Sequence, residues 1–152
     1  MKYLSSLLTF LFICPPVLAN EIILPNRELS PREVIEIQLT ALQKNSAKEP
    51  NAGIKQTWAF AHPNNRAVTG PIGRFAEMLK NKNYRYLLGH KEHKIREVVV
   101  APKIANFYIV IVSSDNIKLS FNWRLQKVEV GDFIGSWMTT SVSIPKRAAD
   151  AI

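Results

Sequence analysis

The sequence predicts an α+β fold in which three N-terminal helices cover one face of a mainly antiparallel sheet of about five strands. From Ile117 to Gln126, apolar and polar residues alternate strictly, which is typical of a strand with one buried face and one solvated face. Three segments of helical periodicity precede this stretch, and the residues from Tyr84 onward are strand-like. Since Phe121 and Trp123 lie on the apolar face, we expect the helices to cover it.

The length and composition suit a single globular domain of 152 residues, 47% of them hydrophobic and 21% charged. Residues 1–19 have the pattern of a secretory signal peptide, with a positive charge at Lys2, a short apolar run and a cleavage site after Ala19. We therefore expect an exported protein that is periplasmic or secreted and soluble after cleavage. The single cysteine, Cys14, lies in that segment, so we expect a mature chain without disulfides or thiol chemistry.

The mature chain is predicted to be basic, because removal of Lys2 from the formal net charge of +8 leaves +7. A basic exported protein meets anionic lipid head groups or acidic polymers more readily than nucleic acid, which we do not expect as a partner. The alternative is a charged face that only keeps the protein in solution.

The helical region begins after an extended leader, residues 20–29. Ser30-Pro31-Arg32-Glu33 forms a capping box with proline in the first turn, which predicts a helix start. In this first helix Gln38 falls within the apolar arc, and a buried amide needs hydrogen-bond partners. Either it binds a backbone group beneath the sheet, or it faces a cavity.

Two shorter helices are predicted next. The first begins at Gly53 and ends at His62-Pro63, because the residue before proline avoids helical dihedral angles. A turn, 64–66, follows it. The second begins after Thr69, a candidate N-cap, and ends at 81–83.

The predicted strands occupy the rest of the domain, whose bounds we place at 30–144. A buried, β-branched run over 107–112 predicts a central strand covered on both faces. The tail, 145–152, lacks periodicity and is expected to be frayed. The five predicted strands are 84–90, 95–100, 107–112, 117–125 and 133–144.

Several motifs resemble the DUF4864 family, a family of unknown function in the NTF2-like superfamily. They are Gln38, the stretch from Ala61 to Pro71 (AHPNNRAVTGP) followed by Phe75, Tyr84 to His90, and Gly135-Ser136-Trp137-Met138 with Val142. The resemblance covers residues 29–142, and the asparagine-arginine-threonine-glycine-proline stretch is its most specific part. His62 stands where the resemblance leads us to expect serine, and Ser136 where many relatives have cysteine.

The resemblance implies a curved sheet wrapped around helices into a cone, often with an internal pocket. The superfamily contains isomerases, dehydratases, hydrolases, carriers and protein-binding domains, so the fold alone does not decide the activity. Its enzymes use a carboxylate or histidine in the pocket as general base. No acid interrupts an apolar face here, which leaves His62 and His90 as the candidate catalytic residues and makes an enzyme the less favoured reading.

We predict neither a cofactor nor a metal site. His90 and His93 flank Glu92, but residues 90 and 93 of one strand point to opposite faces, so they reach one ion only if the strand ends in a turn at Lys91. The sequence also contains no glycine-rich phosphate loop and no nucleophile elbow.

Three functions follow from these patterns. The leading hypothesis is non-catalytic binding of a small apolar or amphipathic ligand, or of a protein partner, and a homodimer is also possible. The other two are an isomerase or hydrolase that uses a histidine, and recognition of anionic envelope components by a basic patch that could equally protect a sheet edge. The predicted pocket residues are Gln38, Trp58, Tyr86, Trp123 and Trp137, and the predicted basic patch is Lys80, Lys82, Arg85, Lys91, Lys94 and Arg96.

Overall fold

The structure is a computed structural model that describes residues 21–45 and 50–148. The predicted signal peptide, 1–19, and Cys14 lie outside the described residues. The helices are α1 (Pro31–Lys44), α2 (Ala52–Ala59), α3 (Pro63–Thr69), α4 (Ile72–Lys80) and a short 3-10 helix (Arg85–Leu87). The strands are β1 (Glu92–Val100), β2 (Ile104–Val112), β3 (Lys118–Lys127), β4 (Trp137–Val142) and β5 (Lys146–Arg147).

Helix α1 begins where the capping box predicts. The Ser30 hydroxyl accepts from the Glu33 backbone N–H, and the Glu33 carboxylate accepts from the Ser30 N–H at 2.8 Å. Its buried face is Val34, Ile35, Gln38, Leu39 and Leu42. Helix α2 crosses α1 at Gly53. A Cβ atom at this position would lie 2.0 Å from the Ala41 carbonyl oxygen, so only glycine fits.

The expectation of three helices is wrong, because the predicted turn at 64–66 is part of a fourth helix, α3. Helix α2 already ends at Ala59, and Pro63 occupies the first turn of α3, where a missing N–H costs nothing. The His62 side chain supplies the N-cap by accepting from the Asn64 N–H at 3.2 Å. Thr69 is therefore the last residue of α3 and not the N-cap of α4, a position that Pro71 holds.

The predicted strand at 84–90 is also wrong. Residues 85–87 form the 3-10 helix, and Gly89, at φ +64°, turns the chain into β1. The Gly89 N–H donates to the Leu42 carbonyl at the end of α1 at 2.9 Å, which fixes the turn against that helix. The tyrosines and leucines therefore alternate along a tight turn, and their alternation does not indicate a pleated strand.

The sheet has the order β1-β2-β3-β4, with β5 also pairing to β3, and all these pairings are antiparallel. The prediction for 117–125 is confirmed, because Leu119, Phe121, Trp123 and Leu125 are all buried. Opposite them, Phe107, Ile109 and Ile111 of β2 fill the same face, on which the helices pack. The outer face of β2 is only partly covered, contrary to the prediction of burial on both sides.

The last part of the chain differs from prediction in two places. The expected strand at 133–144 is shortened to β4, because residues 132–135 form a turn. In the tail, 145–152, which we expected to be frayed, Lys146 and Arg147 pair with β3, and the Ala148 N–H donates to the Lys118 carbonyl at 3.1 Å. Residues 149–152 lie outside the described residues.

The N-terminal arm, residues 21–29, lies along the surface. The Gln56 side chain exchanges two hydrogen bonds of 2.8 Å with the backbone of Ile23, and Arg27 Nε donates to the Ile134 carbonyl at 2.7 Å. These contacts tie the arm to α2 and to the turn before β4. Of the helices in the described residues, none has the length and apolar character that crossing a bilayer requires.

Candidate functional site

The glutamine predicted to need partners is buried at the centre of a hydrogen-bond network. Gln38 Nε2 donates to the Thr57 carbonyl at 3.1 Å, and Gln38 Oε1 accepts from the Thr139 hydroxyl at 2.6 Å. Trp123 Nε1 donates to that same hydroxyl at 3.0 Å. The network joins α1, α2, β3 and β4 and satisfies both ends of the amide, which is the first of the two interpretations open from the sequence.

Of the five residues predicted to line an internal pocket, Trp123 and Trp137 belong to the buried core cluster, and Trp58 and Tyr86 pack against it. Gln38 and Trp123 are linked by hydrogen bonds through Thr139. Trp58 is half-buried, with its ring 5.2 Å from Phe75, whereas Trp137 is buried and Tyr86 lies on the 3-10 helix. Neither of the two grooves described below is lined by any of the five.

The first groove, called here the outer-face groove, lies on the sheet face opposite the helices and has a volume of about 220 Å³. It exists because that face of β2 carries Tyr108 and Val110, while the tail beyond β5 places Ala148 at its side. These apolar groups line the groove together with Lys94, Arg96 and Lys118. Ile95 also borders it, although its side chain packs against the core on the opposite face of the sheet. An apolar surface bordered by cations suits a ligand with a hydrocarbon body and an anionic group.

The strand register brings the three cations together. Lys94 and Arg96 of β1 lie opposite Val110 and Tyr108 of β2, and Lys118 of β3 lies opposite Val112. The Arg96 guanidinium is 4.9 Å from the centre of the Tyr108 ring, a cation–π contact that holds it over the groove. Among the described residues, no acid lines this groove; Glu92 lies on the same sheet face, opposite Val112.

The six residues of the predicted basic patch do not share one surface in the structure. Lys80 pairs with Glu77 at 4.0 Å, Arg85 stacks on Tyr86, and Lys91 bonds to Asn116. Lys82 is exposed in the turn after α4. Of the six, only Lys94 and Arg96 line the outer-face groove. Sequence reasoning missed Lys118, although its place on the polar side of the alternating stretch and the short turn before it are the signals that could have found it.

A second groove, called here the His62 groove, has a volume of about 320 Å³ and lies between the start of α3 and the ends of β2 and β3. His62 lines it beside Lys103 and Glu129, which form an ion pair at 2.8 Å. Burial lowers the pKa of His62, and attraction to the Glu129 carboxylate offsets part of that shift. Because Nδ1 already accepts the Asn64 N–H, the neutral ring carries its proton on Nε2 and can donate there but not abstract a proton.

The other candidate base, His90, is almost fully buried, at 1% exposure. Burial lowers its pKa, although the hydrogen bond between Nδ1 and the Leu87 carbonyl, at 2.7 Å, acts in the opposite direction. His90 precedes β1, and a bend at Lys91 separates it from the strand, so its ring lies 5.1 Å from the His93 ring. A turn at Lys91 is the condition under which the sequence led us to expect the two rings to come together.

Metal-ligating side chains do not cluster in the part of the chain that the structure describes. Within residues 21–45 and 50–148, no three His, Cys, Asp or Glu side chains lie close enough together to hold one ion. His90 and His93 share a hydrogen bond of 2.9 Å between ring nitrogens, so His90 Nε2 and His93 Nδ1 are engaged by each other and not open to a metal.

Comparisons of the chain with models of protein families, with curated proteins and with solved structures gave no significant match. The resemblance to the DUF4864 family therefore stays a prediction, and the interpretation of the site depends on its own geometry.

Proposed function

We propose that this protein is a non-catalytic binding protein for small amphipathic anions, which it takes up in the outer-face groove. The observation that carries the proposal is the coincidence of an apolar floor with three cationic side chains, Lys94, Arg96 and Lys118. The floor would cover the hydrocarbon part of the ligand, and the cations would bind a carboxylate or phosphate.

The sequence led us to expect a ligand inside the cone. This proposal instead places it on the outer face of the sheet. The amide of Gln38 and the indole N–H of Trp123 are already paired with protein groups. A ligand in the core would have to break these bonds and displace close-packed side chains, whereas the outer-face groove is open.

An enzymatic role has less support. His62 has its Nδ1 lone pair engaged as an N-cap, and His90 is buried against Leu87 and His93. Neither ring presents a free basic nitrogen to a groove, which general-base chemistry requires.

Titration calorimetry with decanoate tests the proposal, with decanol as the uncharged probe of the same chain length. Decanoate is expected to bind more tightly, and its affinity is expected to fall as salt rises, because exposed charges are screened. In the triple variant Lys94→Gln/Arg96→Gln/Lys118→Gln, we expect decanoate affinity to drop about tenfold, from the loss of three partly exposed ion pairs.

The matched control is Lys80→Gln/Lys82→Gln/Arg85→Gln, which removes the same charge from the predicted basic patch outside the groove. This control should bind decanoate nearly as the unaltered protein does. Equal losses in the two triple variants would mean that overall charge alone attracts the anion, and the groove would then have no specific role.

We also propose that the fold is an NTF2-like cone of the DUF4864 kind and that the mature protein is exported. Helices packed on one face of an antiparallel sheet, and the buried Gln38 of the first helix, are compatible with that proposal. N-terminal sequencing of the protein secreted by an expression host tests the export proposal. A mature chain that starts at Asn20 is the expected result, and an intact chain retained in the cytoplasm is the opposite one.

A further inference from the structure

Two histidines and a glutamate form a continuous chain of contacts between α1 and the start of β1. His90 Nδ1 lies 2.7 Å from the Leu87 carbonyl oxygen, and His90 Nε2 lies 2.9 Å from His93 Nδ1. His93 Nε2 in turn lies 3.4 Å from Glu36 Oε2. The chain runs from a buried ring to a carboxylate that is 44% exposed, so one end communicates with solvent.

The partners decide which atoms carry protons. The Leu87 carbonyl can only accept, so His90 Nδ1 donates, and a neutral His90 then accepts at Nε2. His93 must therefore donate from Nδ1. The Glu36 carboxylate also accepts, so His93 must donate from Nε2 as well. A ring that donates from both nitrogens is an imidazolium.

The three contacts are thus satisfied together only when the pair of rings holds one proton more than two neutral imidazoles. With no extra proton, either the His90–His93 contact or the His93–Glu36 contact brings two lone pairs together. With two extra protons, N–H groups of both rings oppose each other at 2.9 Å. The proton positions on the two rings are therefore coupled through this contact.

The charged groups around the pair are few. On α1, Arg32 lies 3.9 Å from the other oxygen of Glu36 and also donates to the Ile95 carbonyl at 3.4 Å. The 3-10 helix contributes the Leu87 carbonyl, and β2 places the apolar Ile111 opposite His93. On β1 itself, Glu92 and Lys94 lie opposite Val112 and Val110, on the outer face of the sheet.

We propose that His90 and His93 together bind a single proton and that this proton fastens α1 to the edge strand β1 through Glu36. The contact is independent of the outer-face groove. It lies between two other bonds from α1 to the same edge, the 2.7 Å bond from Gln43 Nε2 to the Lys91 carbonyl and the bond from Arg32 to Ile95. The proton thus adds a pH-dependent contact between α1 and the edge of the sheet.

Nitrogen-15 NMR of the histidine rings of the full chain, followed from pH 8 to pH 5, tests the proton arrangement, because ring-nitrogen shifts distinguish the two neutral tautomers from the imidazolium. Once one proton is bound, we expect His90 to be neutral with its proton on Nδ1 and His93 to be doubly protonated. If His90 became an imidazolium first, or if the two rings titrated independently, the proposal would be overturned.

The variant Glu36→Gln tests the link to α1, with Glu77→Gln as a control on the exposed face of α4. Glu36→Gln should move the first protonation of the pair to lower pH by about half a pH unit, the size expected for a partly exposed ion pair. It should also speed amide hydrogen exchange in β1 near Ile95 at pH 6. If both variants gave the titration and exchange of the unaltered protein, Glu36 would have no part in binding the proton, and the proposed fastening would be refuted.

Discussion

The hydroxyl of Thr139 donates to the side-chain carbonyl of Gln38 at 2.6 Å, joining residues 101 positions apart in the chain. The same hydroxyl accepts from the Trp123 indole N–H, so one threonine connects the first helix to two strands. Both residues are buried, and the bond is therefore shielded from competing water.

Replacing Gln38 with methionine should destabilise the protein although the volume hardly changes. The Thr139 hydroxyl and the Thr57 carbonyl would each lose a buried partner, which predicts a fall of about 1–3 kcal/mol in the free energy of unfolding. Urea denaturation measures this change in the free energy of unfolding. Lys55→Met on the exposed face of α2 is the control and should stay within about 0.5 kcal/mol of the unaltered protein. A Gln38 variant as stable as this control would contradict the network.

Substitution by alanine is expected to have opposite effects on stability at two glycines. Gly53→Ala would place a methyl group against the Ala41 backbone and should destabilise the protein by about 3 kcal/mol or more, because two helices must move apart. Gly73 lies in α4 with no atom within 4 Å of an added Cβ, so Gly73→Ala should stabilise it by about 0.5–1 kcal/mol. Thermal or urea unfolding of both variants gives the sign of each change in stability. Similar effects in both would rule out the close crossing of α1 and α2.

The contribution of the buried His62 to stability should depend on pH. Burial lowers the pKa of His62 below 6.5, so the unfolded chain binds more protons at this residue than the folded chain does in the window beneath that value. The contribution of His62 is therefore expected to be full above pH 6.5 and to be lost as the pH drops from there toward its folded pKa. Urea midpoints measured between pH 7.5 and pH 5 follow this loss.

The variant His62→Ser separates the role of His62 as an N-cap of α3 from the effect of its protonation on stability. Serine accepts the N–H at an N-cap as well as histidine or better, so stability at pH 7.5 should be kept, and the loss toward pH 5 should become smaller. An unchanged slope would assign the acid sensitivity to His90 and other groups instead.

Arg66 should not be replaceable by lysine. Its Nη2 donates to the Trp58 and Ala59 carbonyls at 2.9 and 3.1 Å, and its guanidinium lies 4.8 Å from the centre of the Trp58 ring. Lysine keeps the charge but cannot bridge two carbonyls while stacking, so Arg66→Lys should lower the unfolding free energy by about 1–2 kcal/mol in urea denaturation. Arg124→Lys on the exposed face of β3 serves as the control and should have no measurable effect. Equal stability of the two variants would contradict the role assigned to Arg66.

The sequence predicted those elements whose burial repeats with a clear period. The 117–125 strand and the start of α1 are correct because alternation and the capping box are local signals. Alternation misled at 84–90, where the left-handed Gly89 and a hydrogen bond to Leu42 fold the chain into a turn. Pro63 was interpreted only as a helix end, which hid α3.

The candidate site was less predictable because it depends on strand register. Lys94 and Arg96 belong to the predicted basic patch, but Lys118 joins them only after β1, β2 and β3 align. Likewise, the burial of Gln38 was visible as a polar residue in an apolar arc. Its partner Thr139 was not, since no local pattern connects positions so far apart.

Strand β3 pairs with β2, with β4 and with β5, so β4 and β5 join the sheet through β3. A chain cut within 118–127 would leave β4 and β5 without a complete template, whereas a cut at the exposed turn formed by Ser114, Asp115 and Asn116 leaves every strand whole. Fragments separated at that turn should reassemble when mixed, which makes it the natural breakpoint for a split reporter.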